Sequence, residues 1–198
     1  MPKASLRFTA LRPLLAGIAL FLTLLGGTVY ATDGPKSGFI EDMVGQLDRV
    51  KGQVVSLENS IPQDKFTWRP GEGVRSISEV YLHIAGSNYF IVGFTGVKPP
   101  ASAKIDEKGT TDKAKIADAL KASFDWTKDA VSKMTDADLD KEIQMFGMKT
   151  SVRNALLVLL SHIHEHLGQS IAYARTNGVV PPWTEEQQAQ EKNAMKKK

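Results

Sequence analysis

The chain has 198 residues, 42% hydrophobic and 24% charged, which suits one domain with its own core and excludes a disordered or fibrous chain. It has no cysteine, so disulfides, thiolate nucleophiles and thiolate metal ligands are all excluded. The formal net charge of +3 is carried by the N-terminal segment, where Lys3, Arg7 and Arg12 stand without any acidic residue.

Those cations precede an apolar run from Leu14 to Leu25, which ends in Gly26-Gly27-Thr28-Val29-Tyr30-Ala31. This is the pattern of a secretory signal peptide over residues 1–31, with cleavage after Ala31. The run is shorter than the ~20 residues that span a bilayer, which weighs against a retained anchor. No cysteine follows it, so a lipoprotein is excluded. A periplasmic or secreted protein with no stable membrane anchor after cleavage is expected. Without residues 1–31 the formal charge is balanced and no basic stripe remains, so nucleic acid is not an expected partner.

Four segments then carry a helical period. The first covers about 37–60, where Ile40, Met43, Val44, Leu47, Val50, Val54 and Leu57 recur at three and four, and it ends before Pro62. The second opens at Ser76, whose spacing to Glu79 is that of a capping box, and continues to about 95 through Ile77, Val80, Ile84, Ile91 and Phe94. The third covers about 111–134, with Ile116, Leu120, Phe124, Thr127 and Val131 as its stripe. The fourth covers about 151–176 and stops at Asn177-Gly178. Pro62, Pro70, Gly71 and Gly73 mark residues 61–75 as loop, and Pro99, Pro100 and Gly109 mark 96–110 likewise. Residues 135–150 read as a short hairpin or an irregular link. The polar segment 184–198, ending in three lysines, is expected to be disordered. The fold class is therefore all-α, a four-helix bundle over residues 37–183. Its links are long for simple antiparallel hairpins, so at least one is expected to cross the length of the bundle.

The chain has four histidines: His83, His162, His164 and His166. On a helix, His162 and His166 lie one turn apart on the same side, where an i, i+4 pair can chelate one divalent ion, whereas His164 points away. The core stripe of the fourth helix is Leu156, Leu160, Ile163, Leu167, Ile171 and Ala174. Beside it run Ala155, Leu159, His162, His166, Gln169 and Tyr173, so the histidine pair belongs to a broad inner face. Imidazoles buried there need partners for their nitrogens, and a metal supplies them. His83, in the middle of the second helix, would complete a three-histidine site with a coordination position left open, the catalytic rather than the structural arrangement. An HxxxH pair alone is a weak motif, and core or surface histidines explain it equally well. Gln169 either orients a ligand or packs. Glu165 reads as solvated rather than as a base, and Glu79 as a cap. Asn88, Tyr89 and Tyr173 either line a pocket or pack, and Trp68, Trp126 and Trp183 read as core or rim aromatics.

The residues from Ser161 to Pro182, with HxxxH, Gly168-Gln169, Tyr173-Ala174-Arg175 and Gly178-Val179-Val180-Pro181-Pro182, resemble the last helix of DinB-like proteins. Val74 to Ala85 resembles the start of that family's second helix, and Pro62 with Trp68-Arg69-Pro70 resembles the loop before it. The resemblance covers about residues 40–182. It implies a four-helix bundle of up-down-down-up arrangement with a divalent metal, zinc, nickel or iron, on His83, His162 and His166, and gives His164 no ligand role. It also implies kinship to transferases and isomerases that use low-molecular-weight thiols, although an exported chain leaves the cytosol where such thiols abound. The expected function is a metal-dependent transferase or hydrolase acting on a small molecule. The alternative is a non-catalytic metal- or ligand-binding module of the cell envelope. Exposed helix faces allow a homodimer.

Overall fold

The computed structural model describes residues 38–196, so the signal-peptide segment 1–31 and the last two lysines lie outside the described residues. Six helices and one hairpin follow in order: α1 Gly38–Ser60, α2 Ile77–Gly93, α3 Lys113–Ser132, α4 Asp136–Leu139, β1 Glu142–Met145, β2 Met148–Ser151, α5 Val152–Thr176 and α6 Pro182–Met195. Among the described residues no helix is long and apolar enough to cross a membrane.

The four long helices are α1, α2, α3 and α5. Both α1 and α2 pack against α3 and α5, so α1 and α2 occupy opposite corners of the bundle, as do α3 and α5. The links 61–76 and 133–151 each join such opposite corners. Local chemistry sets the ends. Ser76 and Glu79 exchange both capping-box hydrogen bonds at the start of α2, and Asp112 accepts from Ala114 and Lys115 at the start of α3. At the end of α5, Gly178 takes φ 78° while Val179 N–H donates to Ala174 and Gly178 N–H to Arg175, a Schellman closure.

Residues 142–151 form a hairpin with Met145 opposite Met148. Phe146 (φ 51°) and Gly147 (φ 78°) are both left-handed, as a two-residue hairpin turn with the right twist requires. The segment after Pro181 departs from expectation: Pro182–Met195 is helix α6, not disordered chain. Its polar composition hides a good helix former. Pro182 sits in the first turn, Gln187 donates to Glu191 one turn on, and Trp183 packs against the core where α6 meets α1.

Ile40, Met43, Leu47, Val50, Val54 and Leu57 of α1 are all buried, as their spacing predicts, while Val44 is only partly so. Helix α2 is buried nearly all round, because α3, α5 and the following link cover it on different sides. Polar groups are enclosed with this core. Both carboxylate oxygens of Glu58 are buried without a hydrogen-bond partner among the described residues. Burial drives the Glu58 carboxyl up to about 7, against the opposing pull of Lys113 and Lys121.

The sign of the linkage follows from that direction. Between pH 4.5 and about 7 the folded protein keeps a proton on Glu58 that the unfolded chain has lost, so stability falls as pH rises through this window. The loss approaches a few kcal/mol, on the order of 3, if the whole shift acts on folding. Glu58→Gln should therefore melt close to wild type at pH 4 and clearly above it at pH 8. Thermal denaturation followed by circular dichroism across that range checks this, and parallel curves for the two proteins would contradict it.

Candidate metal centre

The face of α2 that meets α5 carries His83, and the opposing face of α5 carries His162 and His166 one turn apart. Ring centroids are 5.0 Å apart for His83 and His162, 4.6 Å for His83 and His166, and 4.5 Å for His162 and His166. One nitrogen from each lies within 4.8 Å of the other two. His83 Nε2 and His162 Nε2 are 3.1 Å apart. Two nitrogen ligands on a tetrahedral ion at ~2.0–2.1 Å would stand about 3.3–3.4 Å apart, so little movement separates this geometry from a ligand set.

The remaining ring nitrogens decide which atoms face the centre. His83 Nδ1–H donates to Glu107 at 2.6 Å, and Arg75 grips the same carboxylate at 2.7 and 3.3 Å. His166 Nδ1–H donates to Gln169 Oε1 at 2.8 Å, and Gln169 Nε2 donates on to the Tyr173 hydroxyl at 2.9 Å. Both rings thereby turn an Nε2 lone pair inward, the tautomer that a ligand needs. His162 Nδ1 is buried with no partner among the described residues. At most one proton, on His162 Nε2, serves the converging lone pairs of the neutral cluster, whereas a cation would satisfy all three. The donor set therefore fits a divalent metal, and imidazole suits zinc, nickel and iron alike.

Electrostatics favour the neutral forms of His83 and His162. Burial lowers His162 to about 4, helped by His166, His83 and Arg75. Burial also lowers His83, although Glu107 pulls in the opposite sense. Burial would raise Glu107, but the hydrogen bonds from Arg75 and His83 outweigh it and hold the carboxyl below its ordinary value. Neutral imidazoles beside an ionised carboxylate are the protonation states that metal binding uses.

Other candidates fall into place around this cluster. His164 is exposed, and its Nδ1 donates to the Leu160 carbonyl at 2.8 Å. Glu165 is exposed and bonds to no histidine among the described residues. Glu79 caps α2 and pairs with Arg69 at 3.1 Å. Gln169 orients His166. Tyr173 braces Gln169 and meets Trp68 edge-on, with centroids 5.3 Å apart. Asn88 is buried against Ser123, and Tyr89 packs on Trp126 at 5.1 Å, so both face α3 rather than the histidines. Glu107 was not foreseen. It lies 24 residues after His83 in an irregular link, where no periodicity marks a carboxylate as inward-facing.

The model of the DinB superfamily matches residues 46–170. The chain belongs to the DinB superfamily. Solved structures of this fold agree. A DinB-like protein from Bacillus cereus is 21% identical with a TM-score of 0.66, over 72% of this chain and 95% of that one. The DinB-like protein YjoA of Bacillus subtilis is 23% identical with a TM-score of 0.58, over 69% and 92%. YfiT of Bacillus subtilis, described as a probable metal-dependent hydrolase with an unusual four-helix bundle topology, is 14% identical with a TM-score of 0.59, over 75% and 93%. At these identities the likeness is one of fold. No curated protein matches this chain.

The supporting hydrogen bonds have a measurable consequence. Glu107→Ala and Gln169→Ala should each weaken zinc binding about 10- to 100-fold, the usual effect of removing the partner of a ligand histidine. His164→Ala should leave it unchanged. Competition with a chromogenic chelator reads the affinities, and equal values for all four proteins would deny these residues their orienting role.

Proposed function

We propose that this DinB-superfamily protein is a metal-dependent hydrolase or transferase of small molecules, with a divalent ion, zinc, nickel or iron, held by His83, His162 and His166. One observation carries the reading. Two of the three imidazoles have their Nδ1–H groups fixed by Glu107 and Gln169, so inward-facing Nε2 atoms are held ready at one point. The fold likeness to YfiT, described as a probable metal-dependent hydrolase, supports the same chemistry. Three protein ligands leave a position at which the ion supplies Lewis acidity to a substrate. Around it, Glu107 keeps His83 in the ligating tautomer and Arg75 holds Glu107 in place. His83 also borders a cavity of about 580 Å³, through which a substrate reaches the centre. We read the protein as exported, on the strength of the basic start, apolar run and small residues of segment 1–31.

Elemental analysis of the wild type and the four histidine variants tests this reading. Near-stoichiometric metal, lost in His83→Ala, His162→Ala and His166→Ala but kept in His164→Ala, is the expected result. Absence of metal after reconstitution with zinc, nickel and iron would overturn it. A screen of ester, amide and phosphate substrates with the metal-loaded protein then separates an enzyme from a binding module: turnover abolished in His83→Ala is expected, and a stoichiometric metal without turnover would favour the module.

A further inference from the structure

Helix α2 continues past His83 with a stripe of unusual composition. Gly86, Phe90, Gly93 and Phe94 follow at helical spacing on the same side as His83. Phe90, in the last turn of α2, is 58% exposed, high for a phenylalanine on a bundle helix. The link from 94 to 112 stands opposite this stripe. It packs against the helix there: a β-carbon at Gly86 would sit 3.5 Å from Ile105 Cβ, and one at Gly93 would sit 3.6 Å from Pro99 Cγ, both ordinary van der Waals contact.

Between the stripe and the link lie two cavities, of about 580 and 500 Å³, each large enough for a small organic ligand. They share Gly86, Phe90, Ala103 and Lys104, so they form one groove. Its inner part touches His83 and Glu107, and its outer part runs over Phe94, Pro99 and Pro100. The Phe90 and Phe94 rings are 4.9 Å apart, and Phe94 lies 5.3 Å from Phe146 at the hairpin tip, which extends the apolar surface outward.

Charge along the groove is uneven. Glu107 is held by Arg75 and His83, and Asp106 accepts the backbone N–H of Lys108 at 2.9 Å. Lys104 is exposed, borders both parts of the groove, and has no carboxylate or hydrogen-bond partner among the described residues. It is the one charged side chain lining the outer, apolar section, whereas the inner section also carries the exposed carboxylate of Asp106.

We infer that this groove binds an anionic amphiphile, with the apolar body along Phe90, Phe94 and Pro99 and the negative group at Lys104. The inference names the substrate class of the proposed enzyme and rests on that reading only for which end reacts. The binding itself needs no metal.

Isothermal titration calorimetry with octanoate, octanol and octylammonium tests it on the metal-loaded protein and on metal-free His162→Ala. In both proteins octanoate should bind at least about tenfold tighter than the other two. Lys104→Glu should weaken octanoate about tenfold and leave octanol unchanged, and Phe90→Asp should weaken octanoate and octanol alike. Both side chains are exposed, and thermal melts confirm that the variants fold. Octanoate affinity unaffected by Lys104→Glu, or no octanoate binding to either protein, would overturn the inference. So would a dimer in sedimentation that Phe90→Asp dissociates while octanoate fails to bind, since a second copy would then be what covers the aromatic surface. Octanoate binding by a protein that takes up no metal would uphold the groove and remove the catalytic reading. Stoichiometric metal without octanoate binding would do the reverse.

Discussion

Three imidazoles whose ligand nitrogens lie within 4.8 Å of one another form a costly arrangement unless something balances them, because buried nitrogen lone pairs repel and lack water. Here two of the rings are fixed from behind, while His162 Nδ1 has no partner among the described residues. The carboxylate of Glu107 and the amide of Gln169 hold two of the three, and Arg75 and Tyr173 hold those holders in turn. The chain of contacts runs from α2 and α5 out to the 94–112 link and the segment before α2. The bundle therefore has to bring four separate stretches into register for the centre to exist.

That requirement accounts for the way α2 is built. It is the helix with the fewest solvent-facing positions, buried against α3 and α5 and covered by its own following link. The link packs against the helix at Gly86 and Gly93, and this proximity delivers Glu107 to His83. The same approach leaves the groove that runs from the histidines to the aromatic surface of Phe90 and Phe94. Site and groove are thus two results of one packing decision.

The core also encloses polar groups. Glu58, Asn88 and Thr127 all bury an oxygen that no described group satisfies. Each such group costs roughly 1–3 kcal/mol against an apolar replacement. Natural proteins sit above a stability threshold rather than at an optimum, and this bundle gives up some stability in its core.

Much of the fold was legible because it rests on local patterns. The stripes of α1, α2, α3 and α5 follow the helical period, and proline and glycine mark the links. The capping box at Ser76 and Glu79 and the closure at Gly178 involve residues a few positions apart. The co-facing of His162 and His166, and the exclusion of His164, follow from helix geometry alone. Helix α6 was not legible, because its polar residues lack a stripe and its one anchor, Trp183, finds the core only after the chain has folded back. Tertiary structure alone decided the rest. It set His83 against a histidine 79 residues away, brought Glu107 in from an irregular link, and left Lys104 and Phe90 on one groove. Sequence periodicity reports which way a side chain points from its own helix, whereas these neighbours are chosen by how helices and links pack, which no local spacing encodes.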